Sequence, residues 1–322
     1  MEKGEVEKMD PVTHGLVGMM LGIMGGGTLS LTNSVMTASI VGSILPDLDI
    51  VFQMRGDYAY LKQHRGFSHS LPCAVLASGV VTFFLGFIYP GEQFSTLFWG
   101  SLLGFLSHLF LDLLNSYGVK ILWPFSRKKY TWNLLPLFDP ILVLLCVISL
   151  FFLRKGVNEY SLLAVIFFYL LLRRMMRFWA KSIVRARLQR KNELVRVNIL
   201  PSGISLFQWD FIAVLPGKNI VGTINLCHRK YQIFQHLYQE GDEFKGLLAK
   251  TILGQVFHEF TPFCHINYEK KGGKLVCHFI DLRYRVRDRF LHNGVLVLDQ
   301  NLEVEEAIFQ PYSKSHGIYL TQ

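Results

Sequence analysis

The sequence predicts a mainly α protein: a polytopic membrane helix bundle of about six spans, followed by a small cytosolic β-rich (α+β) domain. Three observations carry this. Apolar residues make up 51% of the 322 and fall in long blocks, while charged residues are 18%, against about 25% in a typical soluble domain. The formal charge of +9 is concentrated, because residues 173–191 hold 8 basic and no acidic side chains, directly after the last apolar block. From about residue 196 the blocks give way to short valine-rich and aromatic runs broken by turn signals.

This composition excludes a disordered chain, which needs low hydrophobicity and high charge. Residues 1–10 read as a tail of mixed charge without the pattern of a cleavable signal peptide. Residues 11–180 read as the membrane-embedded domain. A spanning helix needs about 20 mostly apolar residues, and six stretches approach that: 11–30, 34–52, 70–90, 95–114, 137–154 and 160–179. The first two are rich in Gly, Ser and Thr, which suits helices packed closely inside a bilayer. Basic residues in short loops set the orientation. They follow the second span (Arg55, Lys62, Arg65), the fourth (Lys120, Arg127, Lys128, Lys129) and the sixth. Only Arg154 and Lys155 oppose them, and both termini are read as cytoplasmic.

Residues 181–195 read as a basic juxtamembrane linker along the anionic leaflet. In the domain over 196–322, turns are expected at Pro201-Ser202-Gly203, Pro216-Gly217-Lys218 and Lys271-Gly272-Gly273. A helical stretch is expected from Gln232 to Phe257. A hairpin turning at Lys270-Lys271 would set Cys264 across from Cys277. The five cysteines are scattered, which argues against a disulfide framework. Cys227-His228, Cys264-His265 and Cys277-His278 resemble metal ligands, but neighbours on a strand face opposite ways. Sorting the charge by segment leaves the rest near neutral, so no nucleic acid is expected as partner.

An ionisable residue central to a span costs about 2.5–3.5 kcal/mol on insertion scales, yet several recur here. His14 lies near the start of span one, and Asp47 and Asp49 lie near the end of span two. His64-Arg65-Gly66-Phe67-Ser68-His69-Ser70 closes the next loop, and span four ends with His108, Asp112 and Asn115. His108 and Asp112, four apart, share one helix face. Pro46 can break the helix and let Asp47 and Asp49 face one pocket. In the cytoplasmic-termini topology all these residues fall at one membrane face. Asp and His together suit zinc, manganese or a similar divalent cation. Each residue also has a plainer reading. His14 could be a satisfied polar residue in a bundle, Asp49 a partner of Arg55 or Arg65, and His64 a solvated loop residue. Asp139 reads as a helix-N-terminal carboxylate.

The set Asp10-Pro11-Val12-Thr13-His14, Pro46-Asp47-Leu48-Asp49, His64 to Ser70 and His108-x-x-x-Asp112 with Asn115 resembles the YdjM-type membrane-bound, metal-dependent hydrolases. That family is also described as LexA-binding, inner-membrane-associated hydrolases. The resemblance covers about the first 150–180 residues and implies a bacterial inner-membrane location and hydrolase activity. Distant similarity of the family to zinc-dependent phospholipase C would favour a phosphoester substrate. No residue reports LexA binding. On this reading His14, Asp47, His69, His108 and Asp112 are the candidate metal ligands. Asp49 or His64 would complete the shell or act as general base, and Arg65 could hold an anionic substrate oxygen. A bound metal activates water and polarises an ester oxygen. A site at headgroup depth suits a lipid or phosphoester substrate. Two other classes stay open. One is a transporter, since intramembrane His and Asp also mark ion paths. The other is a non-enzymatic anchor presenting the C-terminal domain to a cytosolic protein.

Overall fold

The computed structural model describes residues 11–24, 29–30, 32–56, 65–188, 196–239, 242–286, 289–311 and 317–320. The described residues divide into two compact units, one within Glu7–Met176 and one from Arg177 onward. The first contains α1 (Pro11–Met24), α2 (Ser34–Ile44), α3 (Leu71–Ile88), α4 (Phe94–Leu114) and α5 (Pro140–Arg154). The 30-residue α6 (Glu159–Leu188) runs through the division.

Local chemistry sets the helix ends. The Asn33 side chain accepts from the Met36 N–H to start α2, and Ser70 accepts from Cys73 to start α3. Asp139 accepts from Ile141 and Leu142, with Pro140 at the first helical position of α5. Pro46 has no N–H to give to a helix and clashes with the preceding turn. At that point α2 tightens into a 3₁₀ segment, Leu45–Arg55. Small residues then let helices touch. A Cβ on Gly42 would run into the Ser101 backbone, and one on Gly104 into the Ser39 backbone.

The buried face of α3 is largely small or polar, and most of its large apolar side chains point outward. α3 buries Ala74, Ser78, Val81, Thr82 and Leu85. It turns Leu76, Val80, Phe83, Phe84 and Phe87 outward, each at least 57% exposed. That inversion is what a bilayer rewards. Among the described residues, Ser34–Met54, Leu71–Ile88 and Phe94–Leu114 are long and apolar enough to cross a membrane. The expectation of six spans is therefore not met. Pro11–Met24 and Pro140–Arg154 are apolar helices of 14 and 15 residues, short of the ~20 a crossing needs. α6 is long enough, but Arg173, Arg174 and Arg177 interrupt its apolar stretch.

The second unit is β-rich, as expected. β1 (Arg196–Pro201), β2 (Gln208–Leu215), β3 (Lys218–Asn225) and β4 (Lys230–Tyr238) form an antiparallel sheet in chain order. α7 (Ile252–Phe260) precedes β5 (Cys264–Lys271) and β6 (Lys274–Asp281). A two-residue ribbon follows, β7 (Arg285–Val286) with β8 (Arg289–Phe290). β9 (Asn293–Leu298), β10 (Val304–Gln310) and β11 (Ile318–Tyr319) complete a second sheet of order β11-β10-β9-β6-β5. Leu200, Ile212, Val221 and Leu237 from one face of the first sheet pack with Leu282. On the second sheet α7 lays Phe257 against Phe279 and Phe309. At the end of α6, Ala180 and Val184 are fully buried.

Two local expectations are corrected. The stretch from Gln232 begins as β4, not helix, and among the described residues helix follows as a 3₁₀ turn at Asp242–Phe244, a single turn at Lys245–Leu248 and α7. Opposite Val221 and Gly222, β4 carries one extra residue, Phe234, a bulge that shifts the β3–β4 register and breaks the period-two pattern of β4. The β5–β6 hairpin turns at Gly272-Gly273, not at Lys270-Lys271, because both glycines take positive φ, +60° and +77°. Cys264 therefore faces Asp281, and Cys277 faces Tyr268.

Candidate metal centre

Four segments of the helical unit meet at one cluster. His14 comes from α1, and Asp47 and Asp49 from the 3₁₀ segment after Pro46. Arg65, Ser68 and His69 come from the connection into α3. His108 and Asp112 lie on one face of α4, with Asn115 at its end. His69 and His108 are fully buried, and Asp112 is 1% exposed.

The Nε2 atoms of His69 and His108 are 3.1 Å apart. Asp112 Oδ2 lies 3.2 Å from the first and 3.6 Å from the second. Asp47 Oδ1 lies 3.6 Å and 3.5 Å from the same two nitrogens. His14 stacks on His108, with ring centroids 3.8 Å apart, and its Nε2 is 3.8 Å from Asp112 Oδ1. Ligand atoms of His14, Asp47 and His108 lie close enough to share an ion, as do those of His69, His108 and Asp112.

Both Asp47 oxygens and Asp112 Oδ2 are buried without a hydrogen-bond partner. Buried acceptors left unmade cost about 1–3 kcal/mol each, more when charged. A cation between them and the two Nε2 atoms would remove that cost. Imidazole nitrogens with carboxylate oxygens are a donor set that could hold a divalent ion. The residues present therefore fit a metal.

Outer contacts orient the cluster's side chains. His108 Nδ1 is 2.7 Å from the Ser43 carbonyl. A carbonyl only accepts, so Nδ1 carries the hydrogen and Nε2 presents its lone pair to the cluster. His69 Nδ1 is 2.9 Å from Ser68 Oγ, which donates to Asp49 Oδ2 at 2.8 Å. Asp49 thus stands on the far edge of the His69 ring from Asp47 and Asp112. Burial opposes a charge on His69, but the negative charge of the Asp112 and Asp47 carboxylates close to its Nε2 outweighs it and pushes its pKa up to about 9. Without an ion, a proton takes the cation's place.

Arg65 is 3% exposed and adopts φ +58°, a conformation few side chains take. Its Nη2 donates to Asp112 Oδ1 at 2.9 Å and its Nη1 to Asn115 Oδ1 at 2.7 Å. Its backbone N–H donates to Asp49. Beside it a cavity of about 30 Å³ is lined by His14, Arg65, Asp112, Asn115 and Asp139, room for about a water. Asp139 itself caps α5 and accepts from the Tyr169 hydroxyl at 2.6 Å.

The structure thus brings together His14, Asp47, His69, His108 and Asp112, with Asp49 and Arg65 behind them. His64 lies outside the described residues. Ser68 and the Ser43 carbonyl escaped the sequence reading. Ser68 adjoins His69 and could have been read as its partner, whereas a main-chain carbonyl leaves no signal. Among the described residues the three Cys-His pairs form no such cluster. His265 instead contacts Asn219 and Asn267.

The YdjM inner membrane protein family matches residues 9–180, which is more than half of the chain and includes every residue of the cluster. The chain belongs to the YdjM inner membrane protein family. The YfhP C-terminal alpha/beta plait domain matches residues 248–316. YfhP of Bacillus subtilis is 24% identical over 320 residues, covering 93% of this chain and 94% of that protein. Inner membrane protein YdjM of Escherichia coli is 34% identical over 102 residues, 28% of this chain and 49% of that protein. The Shigella flexneri YdjM matches equally. No solved structure matches. A membrane protein of this family, with a buried cluster of His and Asp side chains whose ligand atoms lie close together, is what these findings establish.

Proposed function

We propose that this protein is a multi-pass membrane metal-dependent hydrolase acting on a phosphoester or lipid substrate. The observation that carries the reading is the convergence of two Nε2 lone pairs with the unpartnered oxygens of Asp47 and Asp112. His14, Asp47, His69, His108 and Asp112 would hold the ion, zinc or manganese by donor type. A divalent ion in such a site supplies Lewis acidity and an activated water.

The chain's own residues do the rest. Ser43 and the Ser68–Asp49 pair hold the two imidazoles in the tautomers the site needs. Arg65 holds Asp112 through its guanidinium and brings positive charge to where an anionic substrate oxygen would sit. Asp49 and His64 are the candidates for moving a proton. The basic loops favour cytoplasmic termini and contact with the anionic leaflet, and the C-terminal domain would meet a cytosolic partner.

The test is metal analysis of the purified full-length protein with hydrolysis assays on a phosphoester and phospholipid panel. The wild type should carry a stoichiometric divalent metal, and His108→Ala and Asp112→Ala should lose both metal and hydrolysis. Full metal and activity in those variants would sink the assignment. Metal flux into proteoliposomes without hydrolysis would favour transport instead.

A further inference from the structure

The β-rich unit carries a groove that the proposed hydrolase chemistry does not use. It encloses about 570 Å³ at the end of α6, over the β2–β3–β4 face opposite Leu237, within the size range of small-molecule sites. Its floor is apolar, from Leu215, Ile220 and Ile233, and Leu188 closes one side. Around it stand Arg187, Lys218 and His236. Among the described residues no carboxylate pairs with Arg187 or Lys218.

Tyr231 lies within the groove, stacked on Phe211 at 5.1 Å with Arg187 over its other surroundings at 5.9 Å. Its hydroxyl is screened from water and has no hydrogen-bond partner. A screened donor without an acceptor is a cost that a ligand oxygen would remove.

We propose that this groove binds an anionic lipid, acyl portion on the Ile220–Ile233 floor and phosphate at Arg187 and the Tyr231 hydroxyl, with Lys218 adding positive charge at the groove's far end. The apolar floor gives a free phosphate nothing to bury. The uncompensated cations give a neutral acyl chain no advantage. An amphiphilic anion satisfies both halves. The charge pattern of the same helix points to a lipid over an acidic peptide. From Arg173 to Arg187, α6 carries six basic residues and no acidic one, the pattern that anionic leaflets attract, in a chain of an inner-membrane family.

The experiment uses the full chain in vesicles of phosphatidylcholine doped with phosphatidylglycerol carrying a photoreactive acyl chain. Cross-linked peptides are then mapped by mass spectrometry. Adducts should fall within 208–238 and be competed by soluble short-chain phosphatidylglycerol, but not by equal concentrations of inorganic phosphate or hexaglutamate. Arg187→Glu with Lys218→Glu, both on the groove's rim, should reduce those adducts at least tenfold while adducts on the helical unit persist. Persistence of the latter reports that the variant is folded in the membrane. Unchanged adducts in the double variant would overturn the proposal, as would adducts confined to the helices or equal labelling by a phosphatidylcholine probe. Competition by phosphate alone would mean a free-anion site, and competition by hexaglutamate an acidic-peptide site; either also refutes it. Hydrolase activity is not part of the readout, so this result and that of the metal assay are separable.

Discussion

Asp49→Asn should weaken metal binding without abolishing it. Asp49 meets His69 on the Nδ1 edge, the side turned away from the cluster. It accepts from Ser68 at 2.8 Å and from the Arg65 N–H at 3.3 Å, and lies 3.5 Å from His69 Nδ1. Neutralising it leaves both Nε2 atoms, Asp47 and Asp112 in place but loosens the aim of His69. Losing an outer-shell partner of this kind costs about 10–100-fold in metal affinity, or about 1.4–2.8 kcal/mol. There is a second signature. Asp49 is among the charges that raise the His69 pKa to about 9. A protonated imidazole cannot ligate, so wild-type affinity should climb about tenfold per pH unit and level off only near that value. In Asp49→Asn the plateau should begin at lower pH. The assay is chelator competition on purified full-length protein from about pH 6 to pH 10. Complete metal loss in Asp49→Asn would make Asp49 a ligand. Unchanged affinity and an unchanged plateau would show that the Ser68–Asp49 pair orients nothing.

Three further outcomes follow from the same contacts. Asp112→Asn removes a proposed ligand and the charge facing the buried Arg65 guanidinium, so thermal unfolding in detergent should report a loss of about 3–5 kcal/mol, along with absence of metal. Gly104→Ala forces a methyl group into the Ser39 backbone, and overpacking of about 1–3 kcal/mol should lower the melting temperature of the helical unit. Asp210 on β2 is half-buried, and burial, partly offset by Arg285, lifts its carboxyl to about 6. The folded state therefore holds that proton more tightly than the unfolded chain, and stability falls as pH rises from about 4 to about 6. Asp210→Asn should then stabilise the β-rich unit at neutral pH by about 1–2 kcal/mol, after allowance for solvent screening, with the gain vanishing below about pH 4; a pH-independent effect in denaturant melts would contradict this.

Much of the cluster was legible because its residues are costly where they stand. His108 and Asp112 at helical spacing inside an apolar block, and two aspartates straddling the turn after Pro46, are patterns that burial alone does not produce. The same reasoning failed on extent. Hydropathy reads composition and not where a helix stops, so the sequence predicts full spans at α1 and α5 although their helices hold 14 and 15 residues. In the β-rich unit, the bulge at Phe234 hid β4, and the choice of turn residues moved the β5–β6 register. Both depend on backbone geometry at one or two positions, which side-chain patterns report weakly. The Ser43 carbonyl is the extreme case, since every residue has one.

The cluster draws its ligand atoms from α1, the segment after Pro46, the approach to α3 and the end of α4, so residues 14 and 112 must come together before it exists. An ion there would act as a clasp joining the first and last of these segments. During synthesis no such clasp can close until α4 has emerged. Metal occupancy would then report that the helical unit had finished assembling, and ion scarcity would be felt first as slow maturation of the protein in the membrane.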